Sequence, residues 1–255
     1  MNLAAEMAKL PEPPSNSKPP LWDAWRHDLW SRAQEDDPRN FMRWPCVYHC
    51  MLVDHWPAQM QTEFEYVSRH IDMRTIIESG TKGIYQASAA SSALNLTHQA
   101  YHLLRWQEAT GLRIADQRSI YEFGGGYGAM ALVARRMGFT GTYYIYDLPE
   151  FTLLQQWYLG ECGIDGVEWV GKDAYGDADL LIACYSLSET DFDERDRILK
   201  AWQANSYLFL YSNKFEQYDN IEYFCSLEYG EWFATQWRHS KIAHLPPESW
   251  YTWGW

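Results

Sequence analysis

Apolar positions along the chain change their period as it proceeds. From Leu21 to about Gly80 they follow a helical rhythm, with Trp22, Trp25 and Leu29 at three- and four-residue spacing. Pro38, Pro45 and Pro57 break that run into short pieces, which predicts a helical cap over 21–84. Leu94, Leu96, Tyr101, Leu103, Leu104 and Trp106 then mark a helix over 92–110, stopped by Gly111. Beyond it, apolar runs of strand length alternate with helical stretches: strands at 119–123, 142–146, 167–170, 179–183 and 206–211, helices at 129–137, 150–161 and 193–204. Such alternation builds a mostly parallel sheet covered by helices. Two further strand-like runs, 235–240 and 249–253, lie on either side of Pro246-Pro247 and fit a closing antiparallel pair. The expected fold class is α/β: a Rossmann-like, seven-stranded, mostly parallel sheet with helices on both faces in a domain over 85–255, preceded by the cap.

The segment 11–20, Pro-Glu-Pro-Pro-Ser-Asn-Ser-Lys-Pro-Pro, cannot sustain a helix or central strand, because proline lacks an amide donor and fixes its own φ. Residues 1–20 are therefore expected to form an arm. The 255 residues suffice for one catalytic-sized domain with an extension. With 34 acidic against 21 basic residues, the net charge of -13 argues against a surface that grips phosphate backbones, so nucleic acid is not an expected partner. No basic leader with an apolar core opens the chain and no long uncharged apolar run crosses it, so a cytoplasmic protein without a membrane span is expected. Five cysteines, scattered at 46, 50, 162, 184 and 225, suggest reduced thiols. Fourteen Trp and eighteen Tyr suit either an aromatic-heavy core or a binding surface, including a homo-oligomer contact through the cap.

The chemistry concentrates in Ser-Ile-Tyr-Glu-Phe-Gly-Gly-Gly-Tyr-Gly-Ala-Met, where a strand runs into a glycine-rich turn and then a helix. A turn of this kind brings a ligand close to backbone amides, and glycines leave that approach open. Gly124-x-Gly126-x-x-Ala129 with Asp147 downstream also fits a dinucleotide fingerprint, so the glycines alone do not choose between NAD and S-adenosylmethionine. Glu122 favours the latter, since a carboxylate beside the turn repels pyrophosphate but attracts the ammonium of a methionine moiety. Alternatively Glu122 caps the turn and Asp147 caps a helix at Leu148.

Tyr-Glu-Phe-Gly-Gly-Gly-Tyr-Gly, then Tyr-Ile-Tyr-Asp-Leu-Pro-Glu, then Asp-Leu-Leu-Ile-Ala-Cys-Tyr-Ser-Leu-Ser-Glu-Thr, together resemble the bacterial sugar O-methyltransferases, a class I S-adenosylmethionine-dependent family. The likeness covers roughly 92–213. It implies that Glu122, Gly124, Gly125, Gly126, Tyr127 and Gly128 hold the methionine part of S-adenosyl-L-methionine. It further places Asp147 with Leu148 at the ribose, Asp173 with Ala174 at the adenine edge, and Tyr185 with Ser186 where methyl donor meets acceptor. A solvated acidic turn also accounts for Asp173. The segment before Tyr85 and the aromatic tail have no place on the family pattern, so acceptor choice falls to such additions, with Tyr85 itself assigned to the acceptor.

Methyl transfer to an alcohol needs in-line positioning and a base for the hydroxyl proton. Glu189, just after the fourth strand of the parallel series, is the first candidate. Ser188-x-x-Asp191 and Thr190-x-x-Asp193 also resemble helix-capping patterns. His98 and His102 are alternative bases, and Asn95, Gln99 and His102 share one helical face that either lines an acceptor pocket or meets solvent. Cys46-x-x-x-Cys50 with His49 and His55 lacks a second ligand pair, so no metal site is assigned. An O-methyltransferase acting on a sugar of a glycan or glycosylated metabolite is expected, ahead of methylation of another small molecule, an NAD-dependent oxidoreductase, or a non-catalytic assembly protein on the same fold.

Overall fold

The computed structural model describes residues 1–14, 21–53, 57–77, 91–245 and 248–255. Helices α1 (Leu3–Met7), α2 (Leu21–Glu35), α3 (Pro45–Met51), α4 (Pro57–Ser68), α5 (Met73–Ile77) and α6 (Ser91–Thr110) come first. Then follow β1 (Ser119–Phe123), α7 (Ala129–Arg136), β2 (Thr142–Tyr146), α8 (Pro149–Glu161), β3 (Val167–Trp169), β4 (Gly176–Cys184), α9 (Phe192–Ala201), β5 (Trp202–Ser212), β6 (Lys214–Phe215), β7 (Tyr218–Asp219), α10 (Asn220–Ser226), β8 (Trp237–Lys241) and β9 (Ser249–Gly254). The prolines that break the N-terminal pattern also start its pieces: Pro38 opens a 3-10 turn, Pro45 opens α3 and Pro57 opens α4. A first-turn proline loses nothing, since its missing N–H would have had no partner.

Two compact units interleave along the chain, one from Met1–His102, Gly125–Met137 and Asp147–Asp165, the other from Leu103–Gly124, Gly138–Tyr146 and Gly166–Trp255. The second holds a seven-stranded sheet in the order β3-β2-β1-β4-β5-β9-β8. Neighbours from β3 to β5 are parallel, and β9 joins β5 and β8 antiparallel. The expected mixed α/β sheet and its closing antiparallel pair are thus the ones observed. Because β1 lies between β2 and β4, the strand order reverses beside it, and the carboxyl ends of strands at such a reversal are where open α/β sheets bind ligands.

Register sorts the strand residues into two faces. Tyr121, Phe123, Leu181, Ala183, Tyr207, Phe209 and Tyr211 form a core with Ile198 and Leu199 of α9 and Phe224 of α10. Tyr121 stacks on Trp202 at 4.2 Å and Tyr211 on Phe224 at 4.1 Å. Each such ring contributes about 1.5–3 kcal/mol on burial. Ile120, Glu122, Tyr143, Ile145, Leu180, Ile182, Leu208 and Leu210 take the opposite positions and are buried as well, as expected of parallel strands covered on both sides. Glu122 is the only charged group in that row.

Within the helical unit, α1, α2, α3 and α8 pack together. Phe41 meets Tyr127, Trp157 and Tyr158 at ring distances between 5.3 and 5.9 Å. A salt bridge joins α2 to the start of α8: Arg26 Nε and Nη2 donate to the buried Glu150 carboxylate at 2.9 and 3.1 Å. Truncating one partner strands the other charge in the interior. Arg26→Ala is therefore expected to cost about 3 kcal/mol in urea unfolding, while the double change Arg26→Met with Glu150→Met recovers most of it.

Candidate functional site

The β1 strand ends in the glycine turn because three of its glycines adopt backbone conformations that other residues avoid: φ is +74 at Gly124, +59 at Gly126 and +95 at Gly128. Side-chain space is also restricted by the protein itself. A Cβ at Gly124 would lie 2.3 Å from Ser186 Cβ, and one at Gly128 would lie 3.1 Å from Leu159 Cδ1. The two glycines thus seat, respectively, the loop after β4 against β1 and α8 against α7.

In the helical unit the Asp147 carboxylate organises that turn. Its Oδ2 accepts from the Gly126 amide at 3.0 Å and from Gln155 Nε2 at 2.7 Å, and its Oδ1 accepts from the Leu148 amide at 2.7 Å. Gln155 also donates to the Gly126 carbonyl. Asp147 therefore does bond the amide of Leu148, yet the N-cap position of α8 is Leu148, whose side chain caps nothing. Loss of hydration pushes the Asp147 carboxyl up to about 7 despite these three donors. Tyr127, in the same turn, packs into the aromatic cluster and receives a hydrogen bond from Asn95 Nδ2 of α6 at 2.6 Å. The Asn95 Oδ1 is buried and has no partner among the described residues.

Asn95, His98 and His102 are buried, while Gln99 is half-buried, so most of this polar stripe of α6 is shielded from solvent. His98 Nδ1 donates to the buried Glu63 of α4 at 2.7 Å, and its Nε2 lies 3.0 Å from His102 Nε2. Two imidazole nitrogens at that distance share one proton, giving a chain from Glu63 through His98 to His102. Tyr85 lies outside the described residues.

In the sheet unit, Glu122 accepts from the Tyr143 hydroxyl at 2.9 Å. Cys184 occupies the same face at the end of β4; burial, and then the Glu122 carboxylate, push its thiol pKa upward. The next residue, Tyr185, has φ 64 and ψ -35, a strained conformation for a non-glycine residue, and it stands at the carboxyl end of β4. Surrounding bonds hold it there: its amide donates to Leu210 O at 2.6 Å, its carbonyl accepts from the Ser188 amide at 3.0 Å, and its hydroxyl meets Ser249 Oγ at 2.8 Å. Ser186 donates to the Phe123 carbonyl. Both hydroxyls assigned to the donor–acceptor face are thus engaged within the protein.

Glu189 closes the 3-10 turn Ser186–Glu189 and is half-buried. The cap of α9 is Asp191, whose side chain accepts from the Glu194 amide at 2.8 Å. Ser188 and Thr190, which the pattern offered as caps, donate backwards to the Tyr185 and Leu187 carbonyls. Asp173 is exposed in the loop after β3, with Ala174 half-buried against the core. Cys46 is buried and Cys50 exposed; His55 lies outside the described residues, and among those described no three or more His, Cys, Asp or Glu could hold a metal. None of the described helices is long and apolar enough to cross a membrane.

Neither a family model nor a curated protein matches the chain. Solved structures similar to it include a SAM dependent methyltransferase from Aquifex aeolicus at 13% identity, covering 54% of this chain and 81% of that one with a TM-score of 0.41. A ribosomal protein L11 methylase from Lactobacillus delbrueckii subsp. bulgaricus aligns at 14% identity over 62% of this chain and 78% of its own, TM-score 0.44. An SAH-bound methyltransferase of Podospora anserina aligns at 11% over 82% and 92%, TM-score 0.42.

Gly124 and Gly111 separate the conformational from the steric part of a glycine's contribution. Both have φ +74, but among the described residues nothing lies within 4 Å of a Cβ at Gly111. Gly111→Ala is expected to cost about 1–2 kcal/mol for the left-handed conformation alone, and Gly124→Ala about 1–3 kcal/mol more through overlap with Ser186. Thermal unfolding of the pair tests this; equal losses would remove the interlock with Ser186.

Proposed function

We propose that the protein is an S-adenosylmethionine-dependent methyltransferase acting on a sugar hydroxyl of a glycan or glycosylated small molecule. The disposition of Asp147 carries this assignment. With its Oδ2 3.0 Å from the Gly126 amide, it occupies a loop N–H and places negative charge where a pyrophosphate would bind, which disfavours NAD. A carboxylate has about four lone-pair sites. Among the described residues three receive internal donors, two on Oδ2 and one on Oδ1, which leaves Oδ1 one acceptor site for a ribose hydroxyl.

In this assignment the turn from Gly124 to Gly128 cradles the amino-acid end and Glu122 attracts its ammonium. Leu148 borders the ribose, and Asp173 with Ala174 borders the adenine. S-adenosylmethionine, when bound, supplies a methyl group on a sulfonium whose C–S bond breaks as the acceptor oxygen attacks, the electron pair passing to sulfur. Glu189 takes the proton released by the acceptor hydroxyl, a role worth about 10²–10⁴ in rate. The buried series Glu63, His98, His102 favours a second form of the same step, in which the histidine pair takes that proton and Glu63 balances the charge. Asn95 and Gln99, on the same face of α6, orient the acceptor. The net charge of -13 weighs against a nucleic acid in that position.

Calorimetric titration with S-adenosylmethionine, S-adenosylhomocysteine and NAD tests the cofactor class: the first two are expected to bind and NAD not. Binding of NAD alone would make the protein an oxidoreductase candidate, and binding of none would leave an assembly protein. Asp147→Ala is expected to weaken S-adenosylmethionine by more than about 1 kcal/mol; unchanged affinity would end the ribose assignment.

The Asp147 carboxyl titrates near 7, and hydroxyls bind its charged form. Cofactor binding is thus expected to lower that pKa and release protons, so affinity rises with pH up to about 7 and levels off above it. Titrations in buffers of different ionisation enthalpy read the proton count, and proton uptake would contradict this linkage.

A further inference from the structure

Arg195, on the first turns of α9, is completely buried. Its guanidinium carbon sits 4.9 Å from the Phe192 ring centre, 5.2 Å from Tyr218, 4.9 Å from Tyr223 and 5.8 Å from Phe224. Among the described residues it has no ion-pair partner, and burial lowers its pKa. Four rings compensate in part through their negative faces. An apolar side chain of similar length would fill the same space without the cost of dehydrating a cation, so filling space does not explain a charge here.

What the guanidinium alone can do is donate. Arg195 Nη2 donates to the Ser188 carbonyl at 2.7 Å and Nε to the Thr190 carbonyl at 3.0 Å. These two carbonyls flank Glu189. The segment they belong to follows directly from Tyr185, whose left-handed backbone needs outside support to persist. Charged donors to carbonyls are the stronger class of hydrogen bond, and the planar fork of arginine fixes two acceptors at once.

We propose that Arg195 is a positioning residue: it clamps the backbone on both sides of Glu189 and thereby sets the direction of that carboxylate at the carboxyl end of β4. The role of Glu189 as proton acceptor rests on the function proposed above, whereas the clamp does not. Arg195 touches neither cofactor nor acceptor. Its aromatic surround, drawn from α9, the β6–β7 hairpin and α10, holds the guanidinium so that the loop is rigid before any ligand arrives.

Hydrogen exchange on the full chain tests the clamp without any substrate. Arg195→Met fills the cage but donates nothing, and Arg195→Lys keeps the charge with a less directed donor. Amides of 187–190 are expected to exchange at least ~10-fold faster in Arg195→Met and by an intermediate factor in Arg195→Lys, with β1, β4 and β5 unchanged. Should Arg195→Met fail to fold, Arg195→Lys decides. Unaltered exchange in 187–190, or a uniform rise across the sheet, overturns the clamp.

Turnover, read as S-adenosylhomocysteine formed with a sugar acceptor, tests the consequence for Glu189. Arg195→Met is expected to lower kcat by about 10- to 100-fold while KM for S-adenosylmethionine stays within about twofold, and Arg195→Lys to recover part of the loss. In a Glu189→Gln background the same change is expected to cost nothing further; full additivity would show that Arg195 does not act through Glu189. If the wild-type protein neither binds S-adenosylmethionine nor forms product, the proposed function fails and the exchange result still decides the clamp.

Discussion

At Gly124 there is room for a hydrogen atom and nothing larger, and much of the sheet unit follows from that. The end of β1 can approach the loop after β4 only because Ser186 rests against a bare Cα and reaches the Phe123 carbonyl. For Ser186 to lie there, the chain must reverse sharply at Tyr185, which carries the left-handed backbone the turn requires. The strain is met by bonds from Leu210, Ser188 and Ser249. One missing methyl group thus couples β1, β4, β5 and β9 at the carboxyl ends of β1 and β4.

In the helical unit a carboxylate has the corresponding role. Asp147 could have been stabilised by a cation, but it is held instead by two backbone amides and the Gln155 amide, all neutral donors. These donors offset only part of the loss of hydration, which raises its pKa to about 7, and no internal ion pair among the described residues holds it. Glu150, three residues on, shows the contrast: it is paired with the Arg26 guanidinium, and it belongs to the packing of α2 against α8.

Elements with a clear period were legible from sequence. The strands 119–123 and 142–146 were placed to the residue, because turns of glycine and polar residues delimit them sharply. The β4 and β5 strands are longer than expected, Gly176–Cys184 and Trp202–Ser212, since their pairing extends into polar positions such as Asp177 and Gln203 that a hydrophobic pattern leaves out. Leu3–Met7 forms a helix capped by Asn2, too short to show a period. Of the candidate site, the glycine turn, Glu122 and Asp147 stood out because their spacing is local. Glu63, Gln155 and Arg195 did not: Glu63 is thirty-five residues from His98, and an isolated acid, amide or base on a helix looks like any solvated residue. Gln155 had a faint signal, two turns into the helix that Asp147 precedes.

The raised thiol pKa of Cys184 has a chemical consequence of its own. Sulfur is the softest nucleophile a protein offers, and a thiolate at the end of β4 would be a target for any alkylating group brought to that edge of the sheet. Dehydration and the nearby Glu122 keep the sulfur protonated, and a protonated thiol reacts slowly with electrophiles and oxidants alike. The sheet edge at the end of β4 is in this way chemically quiet despite the cysteine it carries.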